Sequence, residues 1–250
     1  IEIDITYRCN LGCRACNRSC AQAPTTEQIS IEQIKSFVNE SIAAGMCWEF
    51  INVLGGEPTL HPQLAEILSC LIKGYIRPHA PTAQIQIVSN GYTAASRQQL
   101  ATLRAQFPEL LVDYASFKTS NTVDYFTPFN DAPVDDPAFA QADYTAGCWV
   151  ARDCGVNLNP HGYYACSVCG AIDRITSDNA HAIPSLAAIT PERLRAHLDA
   201  FCRYCGNFKH YAINQGNCIP RAEKAPFTEE VISPTWEALY AAYKRRHHGA

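Results

Sequence analysis

Thirteen of the 250 residues are cysteine, and they fall in groups. Cys9, Cys13 and Cys16 form C-x3-C-x2-C, with Cys20 close behind. Cys148, Cys154, Cys166, Cys169, Cys202, Cys205 and Cys218 form a second group that contains two C-x2-C pairs. Cys47 and Cys70 stand apart and read as core thiols at a helix end and in a helix body. The number is odd and the chain is long, whereas disulfide frameworks belong mostly to short secreted chains. Tight groups separated by long gaps point instead to metal or iron–sulfur ligation in a reducing compartment. Three thiolates on one short loop can hold three corners of a cubane cluster and leave the fourth iron open to an outside ligand. Zinc is the competing chemistry, with Cys20 as the fourth ligand of a closed site. In the second group, Cys166, Cys169, Cys202 and Cys205 read as a four-thiolate zinc ribbon with an unusually long gap.

The elements that must position these thiols follow from periodicity. Residues 1–8 alternate apolar and polar and predict a strand, so the first cysteine loop starts where a strand ends. The chain opens at Ile1 inside that strand, and a short preceding piece is expected to be missing. Ser30 and Gln33 form a capping box for a helix carrying Ile31, Ile34, Val38 and Ile42, with Gly45 as its stop. Phe50 to Leu54 is a buried strand ending in Gly55-Gly56-Glu57-Pro58. Pro62 opens a helix whose apolar face is Leu64, Ile67, Leu68 and Leu71. Residues 85–88 are a third strand ending in Ser89-Asn90-Gly91, a helix spans about 94–106, and residues 110–117 are a fourth strand. Strand–helix repeats with short connections predict a parallel α/β sheet. Four strands are too few for a closed barrel, so an open, partial TIM-like β/α barrel is expected, with its chemistry at the C-terminal strand ends.

The pattern changes after residue 120. Residues 121–147 read as an ordered connecting loop, because Tyr125, Phe126, Phe129, Phe139 and Tyr144 are costly to leave in water. Val156-Asn157-Leu158 and Tyr163-Tyr164-Ala165-Cys166 predict a hairpin around Pro160-His161-Gly162. Thr190-Pro191 starts a helix to about Phe201, and Ser233-Pro234 starts another that ends in Lys244-Arg245-Arg246-His247-His248. Hydrophobic residues make up 47% and charged residues 18%, enough for a core and against disorder. The net charge of −4 offers no field for nucleic acid. No apolar run nears the roughly 18–20 residues that span a bilayer. No secretory signal is visible, and a cytoplasmic location is expected.

Cys9-Asn10-Leu11-Gly12-Cys13-Arg14-Ala15-Cys16 after a strand, and Gly55-Gly56-Glu57-Pro58-Thr59-Leu60-His61-Pro62 after the next one, strongly resemble the radical S-adenosylmethionine (radical SAM) enzymes over about residues 1–120. Ala15 departs from the aromatic that many members carry there, which changes packing and removes no ligand. The resemblance implies a 4Fe-4S cluster on Cys9, Cys13 and Cys16, whose open iron is chelated by the amino and carboxylate groups of S-adenosylmethionine. It implies reductive cleavage to a 5′-deoxyadenosyl radical that abstracts a substrate hydrogen. Gly55, Gly56 and Glu57 are carried over as contacts of the methionine amino group. Ser89 and Asn90 are ribose candidates, and Ser116 and Lys118 are candidates for ribose or carboxylate. A backbone that approaches a ligand closely has no room for a Cβ, which suits the glycines, although Gly-Gly alone is more often a tight turn. Ser89-Asn90-Gly91 also reads as a simple turn, and a lone lysine after a strand is usually solvated.

Many of these enzymes carry a C-terminal auxiliary domain called twitch or, when longer, SPASM. Cys148, Gly162, Cys166, a helix, then Cys202-Arg203-Tyr204-Cys205 resemble the twitch pattern, with the glycine–cysteine gap one residue short. Tyr211 stands where the full SPASM pattern expects a cysteine. The resemblance therefore implies one auxiliary 4Fe-4S cluster, held by Cys148, Cys166, Cys202 and Cys205 in a small α+β cysteine-rich domain. The expected organisation is a barrel over 1–120, a connecting loop or lid over 121–147, the auxiliary domain over 148–220 and a C-terminal helix over 221–250. Of the thiols left over, Cys154 or Cys169 is a candidate hydrogen-atom donor or replacement ligand, against inert burial as the plainer reading. Small relatives with twitch domains oxidise or epimerise sugars and aminocyclitols. The resemblance thus implies a small polar substrate, an oxidoreductase or epimerase, and a reductant such as flavodoxin or ferredoxin. Peptide maturation is the alternative within the family, and a non-catalytic zinc-binding module the alternative outside it. Asp131, Asp135 and Asp136 on the loop could meet substrate hydroxyls or amines. His161, Tyr163 and His181 are acid–base candidates by residue type only.

Overall fold

The computed structural model describes residues 1–120, 129–213 and 232–248. Tyr125 and Phe126 of the connecting loop, and Cys218, lie outside the described residues. The strands are β1 (Glu2–Thr6), β2 (Phe50–Gly55), β3 (Gln84–Ile87), β4 (Leu110–Val112), β5 (Asn157–Asn159) and β6 (Gly162–Tyr164). They form one open sheet in the order β4-β3-β2-β1-β5-β6. β1 to β5 run parallel, and only β6 is antiparallel. The fold class is therefore α/β with a mostly parallel sheet. The hairpin β5–β6 pairs with β1 and extends the sheet of the N-terminal strands.

Connections between strands are helical: α1 (Ile31–Ala43), then α2 (Leu64–Leu71) continuing through a π-turn (Ile72–Ile76) into α3 (Arg77–His79), then α4 (Ala94–Gln106). The capping box is formed: the Ser30 hydroxyl accepts from Gln33 N at 3.1 Å, and Gln33 Oε1 accepts from Ser30 N at 2.8 Å. Ile1 and, on β1, Ile3 and Ile5, with Ile51, Val53, Ile85 and Ile87, pack with α1, α2 and α4 in one apolar core. The other residues of β1, Glu2 and Asp4, point to the opposite face, as strand alternation requires.

A second core lies past β1. It joins α5 (Ser167–Thr176), α6 (Pro191–Cys202), α7 (Gly206–Ile213) and α8 (Pro234–His248) around Phe129, Tyr164, Ile172, Phe201 and Trp236. Residues 129–147 are ordered turns, with Phe129 under the Trp236 ring at 4.8 Å between centroids. Two expectations need correction. The fourth strand stops at Val112 rather than 117, because the Asp113 carboxylate accepts from Ala115 N and the Ser116 hydroxyl and turns the chain into a 3-10 turn. Cys47 is exposed rather than core, since α1 ends at Ala43 and Cys47 falls in the following loop.

Candidate functional site

All the candidate residues of the N-terminal half collect at the C-terminal edge of β1 to β4. The cysteine loop leaves β1 after Thr6, and its shape is fixed by backbone anchors. Gln22 Nε2 donates to Cys13 O and Arg14 O, both at 2.8 Å, and Asn130 Nδ2 donates to Arg14 O at 2.9 Å. Ser19, held at φ 51°, places its hydroxyl 2.9 Å from the Tyr240 hydroxyl of α8. Arg18 turns under the loop to Glu2 and Asp4, each at 3.2 Å. Arg174 of α5 is almost fully buried and donates to Ala23 O at 2.9 Å and Arg18 O at 3.0 Å, with its guanidinium over the Tyr7 ring.

On this frame Cys9, Cys13 and Cys16 are each partly exposed, while Cys20 is buried. Burial pushes the Cys9 thiol up to about 11 and raises Cys13, against the nearby Lys118 charge. Cys16 is pulled down by the hydrogen bond it shares with the Cys20 thiol.

The Gly-Gly turn packs flat on β1. Gly56 N donates to Thr6 O at 2.7 Å and Glu57 N to Arg8 O at 2.8 Å. A Cβ on Gly56 would stand 2.2 Å from Arg8 O, so only glycine fits. The Glu57 carboxylate is wholly buried and accepts from Thr59 N (3.0 Å), Thr59 Oγ1 (2.6 Å), Ser89 Oγ (2.8 Å) and Asn90 N (2.8 Å). It thereby pins the end of β2 to the end of β3. Asn90 Nδ2 reaches on to Asn10 Oδ1 at 2.8 Å and lies 3.9 Å from Cys9 Sγ. Lys118 N donates to Asn90 O at 2.7 Å, and the Ser116 hydroxyl is held by Asp113.

The second cysteine group is a chamber. Cys148, Cys166, Cys169, Cys202 and Cys205 line one apolar hollow with Val150, Ile172, Leu198 and Phe201; its space free of atoms, opening included, is about 270 Å³. All five are buried. Cys166 immediately precedes α5 and Cys169 lies in its first turn, with their sulfurs 3.4 Å apart. Burial pushes Cys148 up to about 12 and Cys202 and Cys205 well above the usual thiol range, so without metal these are neutral thiols. All twelve described cysteines are free, so no disulfide framework exists among them. Among the described residues no three His, Cys, Asp or Glu side chains close on a single metal ion.

Comparison with known proteins bears on the first site. Residues 3–117 match the Radical SAM superfamily. A stretch of 109 residues, 42% of this chain, is 29% identical to the "Probable GTP 3′,8-cyclase" of Methanosarcina mazei, spanning 29% of that protein's length. Two solved structures are similar at low identity. BtrN in complex with AdoMet and 2-DOIA is 12% identical with a TM-score of 0.45, covering 93% of this chain and 94% of that one. BtrN in an open conformation is 13% identical at 0.44, covering 92% and 94%.

The Radical SAM superfamily, which residues 3–117 resemble, is one that implies a 4Fe-4S cluster and S-adenosylmethionine. The donor set fits: three soft, partly exposed thiols on one loop. Cys20 is buried beside Cys16, with which its thiol shares a hydrogen bond. Gly55, Gly56, Glu57, Ser89 and Asn90 are brought to Cys9, with Ser116 and Lys118 on the adjoining strand end. The Glu57 carboxylate and the Ser89 and Ser116 hydroxyls already hold protein partners, so these groups build the rim.

Other expected contacts are elsewhere. Asp131 and Asp136 pair with Lys209 at 3.0 and 3.3 Å, and Asp135 accepts from Thr235 N and Oγ1 at the start of α8. They join loop to helices rather than facing a substrate. His161 meets Glu27, Tyr163 meets Glu40 and His181 meets Asp173, none of them at either thiol group. Cys169 lines the chamber, whereas Cys154 does not; it lies half-buried within electrostatic reach of Glu2 and Arg18. Arg174, Gln22 and Asn130 organise the site without any motif to announce them.

Proposed function

We propose that this chain is a radical SAM oxidoreductase acting on a small polar molecule, with a second iron–sulfur cluster in the C-terminal chamber. The match of residues 3–117 to the Radical SAM superfamily supports radical-generating chemistry with S-adenosylmethionine. The observation that carries the finer reading is the chamber: five buried thiols with apolar walls and, among the described residues, no other donor in its lining. When bound, the first cluster and S-adenosylmethionine supply the 5′-deoxyadenosyl radical that takes a hydrogen atom from the substrate. The protein's part is positioning. Cys9, Cys13 and Cys16 hold the cluster at the mouth of the sheet. Gly55 and Gly56 bring backbone close to the methionine end, and Glu57 keeps the strand ends in register. In the chamber, Cys148, Cys202, Cys205 and a thiol at the start of α5 would hold a second cluster away from water, and that cluster would supply an acceptor for the second electron of an oxidation. A one-electron reductant of the flavodoxin or ferredoxin type is the other partner.

The test is iron, sulfide and zinc per chain, prepared without oxygen, for the wild type and for the variant Cys9→Ala/Cys13→Ala/Cys16→Ala, together with 5′-deoxyadenosine production under reduction. The proposal expects the variant to keep about half the iron and sulfide, no zinc, and no 5′-deoxyadenosine. Retention of zinc alone would make the chamber a structural ribbon and remove the electron acceptor. With substrate in hand, solvent deuterium in a product isomeric with it would replace oxidation by epimerisation.

A further inference from the structure

The chamber holds five thiols, one more than the corners of a cubane cluster, each of which takes one thiolate. Four of the positions come from distinct places in the chain. Cys148 follows the left-handed Gly147, Cys202 ends α6, Cys205 precedes α7, and α5 supplies its start. α5 supplies that position twice. Cys166 caps the helix in extended backbone and Cys169 lies in its first turn, and the sulfurs touch at 3.4 Å. Thiolates bound to different irons of one cubane diverge from its corners. Two sulfurs already in contact converge on the same corner.

We infer that Cys166 and Cys169 are alternative ligands of a single iron, so that the auxiliary site tolerates loss of either one but not both. This rests on the reading of the chamber as an iron–sulfur site. Three observations carry it. Both sulfurs face the same hollow as Cys148, Cys202 and Cys205. Both are as deeply buried as those three, with Cys166 at 4% and Cys169 at 2% exposure, so neither is a surface thiol that strays inward. Each sulfur has the other as its side-chain hydrogen-bond partner. A change of ligand between them needs only a side-chain rotation within one helical turn, with the backbone in place. Binding through either sulfur forms one Fe–S bond and releases one thiol proton, so the charge of the site is the same in both arrangements.

The experiment starts from the full chain with Cys9→Ala, Cys13→Ala and Cys16→Ala, in which all remaining iron belongs to the chamber. Into it go Cys166→Ala, Cys169→Ala, the double change, and Cys148→Ala as a matched deletion in the same walls. Iron and sulfide are counted per monodisperse folded chain, and the reduced samples are examined by electron paramagnetic resonance. Each single change at α5 is expected to keep the parent's iron within about 20% of its value. Cys166→Ala or Cys169→Ala is expected to shift the resonance, since the occupied sulfur has moved. The double change and Cys148→Ala are expected to lose most of the iron. If Cys166→Ala alone empties the chamber, Cys169 is no ligand and the inference fails while the auxiliary cluster stands. If the double change keeps its iron, the helix start supplies no ligand and the inference fails. If the parent itself carries no iron, or zinc in its place, the cluster reading falls and takes this inference with it.

Discussion

The two thiol groups are built on opposite plans. Cys9, Cys13 and Cys16 sit on a loop, partly exposed, with their geometry imposed by hydrogen bonds to backbone carbonyls from Gln22, Asn130 and Arg174. The chamber thiols are buried, sit at helix ends, and are shaped by apolar packing. One group offers three partly exposed thiols; among the described residues, the other offers five buried ones. The first arrangement suits a cluster that must bind something from outside, and the second a cluster that only passes electrons. Polar anchors hold a loop that must stay accessible, whereas burial seals a centre that must stay dry.

The sharpest test of that contrast is Cys13→Ala. It is expected to reduce 5′-deoxyadenosine production to background while the chamber keeps its iron. Equal loss at both sites would show that the two do not assemble independently. Next comes Arg174→Met. It removes the donors to Ala23 O, Arg18 O and the Tyr243 hydroxyl at 2.9 to 3.0 Å and leaves buried carbonyls unpaired. A loss of about 3 kcal/mol or more is expected in denaturant unfolding. Iron should leave the loop before the chamber. The reverse order would mean that Arg174 serves α5 rather than the loop. Glu57→Gln follows. An amide nitrogen must then face one of the donors that the carboxylate now accepts, from Thr59, Ser89 and Asn90. A loss of about 2–3 kcal/mol is expected, with weaker S-adenosylmethionine binding. Unchanged binding would detach the rim from the site.

The loop site was more legible than the chamber because its constraints are local. The C-x3-C-x2-C spacing, the Gly-Gly turn and the Ser30–Gln33 capping box are adjacent in the chain and fold as their neighbours dictate. The chamber depends on α5, which local rules conceal. It starts at Cys166 with no Ser, Thr, Asp or Asn cap, directly off the hairpin, and carries Gly170 inside it. That glycine is a packing requirement, since a Cβ there would stand 2.7 Å from Asn159 Nδ2 and 3.1 Å from the Tyr164 ring. Helix propensity sees only a penalty at this position. Asp131, Asp135 and Asp136 were misplaced for the same reason: Lys209 and Thr235 are far along the chain and unmarked by any motif. Arg174 is likewise one ordinary basic residue until the loop folds over it.

The smallest expected effect concerns the joint between the two regions. Arg18 leaves the cysteine loop and meets Glu2 and Asp4 of β1, while Asn157 of β5 donates to Asp4 Oδ2 at 3.2 Å. Asp4 is fully buried, and desolvation raises its carboxyl from the usual 3.8 to about 6, even against the Arg18 charge. The folded chain therefore holds a proton that the unfolded chain releases. Stability is gained as pH falls from about 6 to about 4 and lost as it rises through that window, by about 1.4 kcal/mol per pH unit at most. Above about 6 the Asp4 contribution is flat. Unfolding of the cluster-free chain, measured from pH 4 to 7 for wild type and Asp4→Asn, isolates it. The wild type is expected to weaken across the lower two units, and the variant to do so less. Identical slopes would show that Arg18 holds Asp4 ionised throughout. The joint would then be a fixed ion triad, binding the exposed site to the sealed one equally at every pH.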